Sequence, residues 1–224
     1  MDPGRIHLLT FDCYGTLIDW ARGIVDAVTP EAARDGLRLE PERILEAHAR
    51  IERAVEAEGY RSYREVLRET ALRAAREWDW PLDPARARFL PDSVGAWPPF
   101  PDTNPALRRL RARFRLAILS NVDDDLLAGT LRHLDVDFDF TVTAQQVRSY
   151  KPAPAHFHEA LRRAGGRAGI LHAAQSLYHD VAPAKRLGFP VAWVNRRGET
   201  PPASVPAPDL VVPDLGALAD ALAA

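Results

Sequence analysis

A lone apolar strand, separated from every other strand by a long helical stretch, is the feature that most constrains this chain. Ile6–Phe11 (IHLLTF) is a short, mainly apolar run, the pattern of a parallel strand buried on both faces. It runs into DCYGTLIDW, a tight polar loop in which Gly15 supplies backbone angles that other residues avoid. From about Trp20 to Ala96 the pattern is helical only. ERILEAHARIERAVEAEGYRSYREVLRETALRAAREW carries apolar residues three and four apart among many charges. Ile44, Leu45, Ala47, His48, Ile51 and Val55 form one stripe, and Tyr63, Val66, Leu67 and Leu72 another. Asp83-Pro84 reads as the N-cap and first turn of a further helix. Pro30 either bends a helix or starts one. WPPFP at 97–101 reads as a stiff crossing back towards the first strand.

Strands and helices then alternate. Helices are expected at Ala106–Phe114, Asp124–Leu134, Ala155–Ala164 and Val181–Leu187, with one more at the C-terminus. Strands are expected at Arg115–Leu119, Phe140–Thr143, Ile170–Ala174 and Val191–Val194, with a last one at Leu210–Val212. Such alternation builds a parallel sheet with helices on both faces. The expected fold is α/β: a doubly wound, Rossmann-like core with an all-helical cap inserted after the first strand. The core would take residues 1–19 and 98–224, and the cap residues 20–97.

Composition narrows the function. The chain has 224 residues, 46% hydrophobic and 27% charged, with a formal net charge of −2. That is an ordinary globular balance with no basic footprint for nucleic acid. No apolar run approaches the roughly 20 residues of a membrane span. The single cysteine, Cys13, excludes an intrachain disulfide and fits a cytoplasmic protein. Beside the strand end, Cys13 reads as a small buried apolar residue. His156 and His158 share a helix without a third ligand, which argues against a metal there.

Sheets of this type bind ligands beyond the carboxyl ends of their strands. At those ends stand Asp12, Ser120-Asn121, Lys151 (in SYKP) and Asp180 (in QSLYHD). Asp180 also reads as the N-cap of the following helix, and Ser120-Asn121 as a cap for a helix at Asp123–Leu126. His179 is open between a partner of Asp180, a base that activates water, and a structural histidine.

FDCYGTLID, ILSN, SYKPAPAHF and HDVAPAKRLGFPVAWVNR resemble, in order, the four motifs of the haloacid dehalogenase superfamily; the last three resemble L-2-haloacid dehalogenases in particular. The resemblance spans the core and includes the position of the cap. It implies a hydrolase that needs no cofactor and uses Asp12 as nucleophile, oriented by Thr16. Lys151 would stabilise the charge on Asp12, and Asp180 would pair with Lys151 and position the hydrolytic water. Ser120 would bind substrate, with Tyr14, Asn121, Ser176, His179 and a cap arginine, Arg43 (or Arg50), as further substrate-side candidates. The implied partner is a small molecule, a short carboxylic acid; the apolar cap faces and related proteins point to a homodimer.

The chemistry suits these residue types. A carboxylate that forms an ester splits one hard displacement into two easier ones. Burial would raise its pKa and a nearby lysine would lower it. Phosphate-transferring members of the superfamily usually place a second Asp two residues after the nucleophile, to protonate a departing alkoxide. Here that position is Tyr14, and a halide leaves without a proton. The alternative is a magnesium-dependent phosphatase, with the metal on Asp12, the Tyr14 carbonyl and Asp180. A more distant one is a non-enzymatic binding module on the same fold. The chain also departs from the dehalogenase pattern: Phe157 replaces a tyrosine, Leu177 an asparagine, Gln175 a serine and His179 a tryptophan.

Overall fold

The structure, a computed structural model, describes residues 3–223. In chain order it contains β1 (Leu8–Phe11), α1 (Trp20–Arg34), α2 (Pro41–Ala57), α3 (Tyr63–Glu77) and α4 (Phe89–Ser93). Then come α5 (Thr103–Arg111), β2 (Arg115–Ser120), α6 (Asp124–Leu131), β3 (Phe140–Thr143), α7 (Ala144–Val147) and α8 (Ala155–Ala164). The chain continues through β4 (Ile170–Ala174), α9 (Ala182–Arg186), β5 (Val191–Val194), β6 (Leu210–Val212) and α10 (Leu215–Ala223). Among the described residues no helix is long and apolar enough to cross a membrane.

The chain divides into two compact units. The first holds the chain up to Ile18, Pro99–Asn121, and everything from His133 onward. Its six strands form one sheet in the order β3-β2-β1-β4-β5-β6, every neighbouring pair parallel. This is the doubly wound arrangement expected from the alternation. β1 sits between β2 and β4, where the winding reverses, and that reversal opens the crevice in which such sheets bind ligands. All four residues of β1 and all five of β4 are buried, as continuous apolar strands must be when both faces are covered. Leu8, Ala117, Val142, Phe157, Ile170, Phe189 and Trp193 belong to one shared core.

The second unit is Asp19–Pro98 together with Val122–Arg132, which brings α6 in with the other helices. The local reason is Asp123. It is the N-cap of α6, and its carboxylate also accepts the backbone N–H of Tyr63 and of Arg64, both at 2.9 Å. Those are orphan donors of the first turn of α3. Ser62 and Glu65 complete that end with a reciprocal capping box. Gly129 of α6 comes so close to Gly95 that a Cβ there would meet the Gly95 Cα at 3.1 Å. Pro30 lies inside α1 and does not start it.

Two local expectations change. Asp83-Pro84 does not open a regular helix. The Asp83 carboxylate accepts the Ala85 N–H two residues on, closing an Asx turn. A 3₁₀ turn at Arg86–Arg88 follows, then the short α4, in which Pro91 lacks the N–H a longer helix would need. The helix expected at Val181–Leu187 is present as α9, but it is preceded by a π turn, Leu177–Val181. Asp180 lies within that π turn; the N-cap is Ser176.

Candidate active site

Asp12 follows directly on β1, tied to β4 through its N–H to the Ala173 carbonyl at 3.1 Å. The loop after it folds back on Cys13, whose carbonyl accepts the N–H groups of Leu17 (2.7 Å) and Ile18 (3.0 Å). Gly15 permits the reversal with a φ of 97°. Thr16 is thereby placed to donate its hydroxyl to Asp12 Oδ2 at 2.8 Å, while its Oγ1 accepts the Gln175 N–H at 3.0 Å. Asp12 keeps 7% of its surface exposed.

Lys151 is fully buried and spends all three ammonium hydrogens. Its Nζ lies 2.8 Å from Asp12 Oδ1, 2.7 Å from Asp180 Oδ1 and 2.8 Å from the Leu119 carbonyl. Asn121 clamps the Lys151 backbone from both sides: its Oδ1 accepts the Lys151 N–H at 2.7 Å, and its Nδ2 donates to the Lys151 carbonyl at 3.1 Å. The structure thus joins Asn121 to the lysine.

Three buried charged groups in contact shift one another. Burial pushes Asp12 up; Lys151 pulls it down and Asp180 pushes it up again, leaving it above the ordinary carboxylate value. Burial acts the same way on Asp180, but the Lys151 charge and a hydrogen bond from His172 outweigh it and hold that carboxyl well below the usual range. Burial would lower Lys151, yet Asp12 and then Asp180 hold its proton more tightly than in water. Cys13 is buried, and burial followed by the Asp12 charge pushes its thiol well up.

The other expected site residues fall as follows. Ser120 Oγ is buried at the end of β2 and has no hydrogen-bond partner. Ser176 Oγ accepts the His179 N–H at 3.0 Å and lies 3.2 Å from His179 Nδ1, so this serine is spent on the π turn. His179 is half-buried there, its ring edge-on to Tyr178. Tyr14 is half-buried in the nucleophile loop. Arg43 belongs to the helical unit, exposed on α2, and Arg50 forms a two-pronged pair with Glu77 in that unit.

Two positions assigned no role from sequence are built into the site. His172, in the middle of β4 and wholly buried, bonds Asp180 Oδ1 through Nε2 at 3.0 Å and Thr10 Oγ1 through Nδ1 at 3.0 Å. A lone histidine inside the apolar run ILHAA was the available signal, because a buried imidazole needs polar partners. Arg196, in the WVNR stretch, grips the Thr16 carbonyl through two nitrogens (3.2 and 2.8 Å) and Asp102 through two more contacts at 2.9 Å. It also lies over the Phe100 ring at 3.8 Å. His156 is buried as well; its Nε2–H donates to the Ser120 carbonyl at 3.1 Å, and burial with the Lys151 charge lowers its pKa to about 3.

Of the oxygen set proposed for magnesium, Asp180 Oδ2 is buried and has no hydrogen-bond partner, and the other carboxylate oxygens are engaged. Lys151 already bridges Oδ1 of both acids, and Thr16 holds Asp12 Oδ2.

Comparison with known proteins places this arrangement. A family model for the haloacid dehalogenase-like hydrolases matches residues 6–188, and the chain belongs to that family. Haloacetate dehalogenase H-2 of Moraxella sp. (strain B) is 28% identical, the alignment covering 93% of this chain and 97% of that protein. (S)-2-haloacid dehalogenase H-109 of Pseudomonas putida is 29% identical, covering 96% and 97%. Among solved structures, the L-2-haloacid dehalogenase of Xanthobacter autotrophicus superposes with a TM-score of 0.82 at 25% identity, covering 97% of this chain and 98% of that one.

Proposed function

We propose that the chain is a metal-independent dehalogenase that converts a small (S)-2-haloacid into the 2-hydroxy acid through an ester on Asp12. The observation that carries this reading is the buried chain Asp12–Lys151–Asp180. It sets a carboxylate at a strand end with a cation in contact and a second acid one bond further on. Tyr14, standing two residues after Asp12, offers no carboxylic acid to protonate an alkoxide leaving group. The two dehalogenase relatives support the substrate class.

In the first step an Asp12 oxygen attacks the carbon that bears the halogen. A C–O bond forms, the C–halogen bond breaks, and the bonding pair leaves with the halide. Lys151 keeps Asp12 anionic until that moment and offsets its charge. The Ser120 hydroxyl, buried and without a protein partner, is the donor for the substrate carboxylate. In the second step water attacks the Asp12 carbonyl carbon. One water proton goes to Asp180, the acyl C–O bond of the ester breaks, and that proton passes from Asp180 to the departing alkoxide; the other water proton is lost to solvent as Asp12 regains its carboxylate. Asp180 Oδ2 is buried and has no partner in the protein, so one carboxylate oxygen remains for that water.

The test is halide release from L-2-chloropropionate in the presence of a chelator, beside phosphate release from an aryl phosphate with magnesium. Halide release without metal is expected; activity only in the phosphate assay overturns the proposal. A single turnover in heavy-oxygen water should place the label in the Asp12 carboxylate. Label appearing directly in the product would exclude the ester.

A further inference from the structure

We propose that His172 is the positioning residue of the second half-reaction: from inside β4 it pins one oxygen of Asp180 and so leaves the other for the water that cleaves the Asp12 ester. The inference rests on the dehalogenase reading above, and it concerns a residue outside all four motifs.

The imidazole is fixed on every side the structure describes. His172 pairs in register with Thr10 on β1 and Val191 on β5, in the middle of the sheet. Phe157 meets its ring edge-on, with centroids 5.3 Å apart. The carboxylate partner decides the role of Nε2. An ionised carboxylate only accepts, so Nε2 carries the hydrogen that reaches Asp180 Oδ1. Nδ1 lies 3.0 Å from the Thr10 hydroxyl, which anchors the other side of the ring. Thr10, His172 and Asp180 form a buried chain that approaches Asp180 from the strand, while Lys151 bonds the same oxygen.

The two donors differ in how they respond to the reaction. Before it, Asp12, Lys151 and Asp180 together carry one net negative charge. Esterification removes the charge of Asp12, and the trio becomes neutral. Lys151 then loses one of its two anionic acceptors, and its flexible stem is free to settle on Asp180 alone. His172 undergoes no such change, because Thr10 and the sheet hold it. The half-reaction that needs Asp180 in a fixed pose is also the one in which Lys151 is least constrained. His172 therefore matters for ester hydrolysis and little for halide displacement.

The experiment separates the two steps. Wild type, His172→Leu, His172→Gln and Thr10→Val are mixed with L-2-chloropropionate; the halide burst, the steady-state rate and the intact protein mass are followed. In His172→Leu the burst of one halide per site should keep the wild-type rate. Steady-state turnover should fall about 100-fold, the usual cost of a misplaced group of this kind, and the ester should accumulate as a mass increase. His172→Gln, which returns an amide donor near Nε2, should recover at least tenfold of that loss. Thr10→Val removes only the Nδ1 partner and should slow turnover without slowing the burst. It keeps the question open to measurement if the leucine variant does not fold. A burst and turnover that fall together, or a turnover that does not change, would overturn the role of His172 while the wild type still releases halide. A wild type that releases no halide overturns the dehalogenase reading itself, and this inference with it.

Discussion

Arg73 and Lys151 each bridge two carboxylates, and the difference between them is burial. In the helical unit Arg73 reaches Glu58 and Glu69 with 31% of its side chain exposed. In the sheet unit Lys151 reaches Asp12 and Asp180 with 1% exposed. Around Arg73, water and salt can take the place of either partner, so the bridge is a weak surface brace. Around Lys151 nothing else can serve. Each of its acids depends on it, and the two acids are driven apart, Asp12 upwards and Asp180 downwards. The same charge pattern leaves its groups replaceable at the surface and mutually dependent when enclosed.

The largest expected effect comes from Asp12. Asp12→Asn should lower turnover by at least about 10⁴-fold, as loss of a residue that acts as part of a unit does, without lowering the melting temperature. Steady-state halide release and a thermal melt check both parts. Lys151→Met comes next: it leaves two buried carboxylates with no cation and should cost about 3–5 kcal/mol of stability by urea unfolding. Adding Asp12→Asn to that variant should return part of the loss, since one stranded charge is gone.

The pH dependence follows, and its two signs differ. Asp180 has a depressed folded value, so its stabilisation is present above its unfolded value of about 3.9 and is lost as pH falls through the lower folded value. Asp12 has a raised folded value, so its ionised form works against stability, and that penalty disappears as pH falls through that value. The acid limb of kcat/KM should accordingly lie above the ordinary carboxylate range, since Asp12 must be ionised to attack; a pH–rate profile reads this. The smallest effect belongs to the surface brace. Arg73→Ala should move the melting temperature by no more than about 2–4 °C, equivalent to a surface pair, and by less still in high salt.

Much of this was legible in sequence because it rests on local patterns. Apolar runs ending in polar loops gave the strands, and the alternation after Pro101 gave the sheet. Asp12, Lys151 and Asp180 stood out because each follows a strand or loop with its own motif. What sequence hid depended on distant partners or on competition within a turn. His172 looked like one more strand residue; its partner Thr10 lies 162 positions away. Asn121 seemed placed for substrate, but its amide matches the backbone of Lys151 30 positions on. Ser176 seemed free for substrate until the π turn claimed its hydroxyl. Asp83-Pro84 has the letters of a helix start, yet the side chain closes a smaller ring two residues on.

Cys13 has a practical consequence. It is the only cysteine in the chain, it has no exposed surface, and its thiol resists ionisation. Thiol-directed dyes and spin labels react through the thiolate, so the unaltered protein is already a silent background. A single cysteine introduced on α2, or on the exposed edge at Val211, would be the one labelled position. Spectroscopic probes can thus be attached to either unit without first removing the native sulfur beside Asp12.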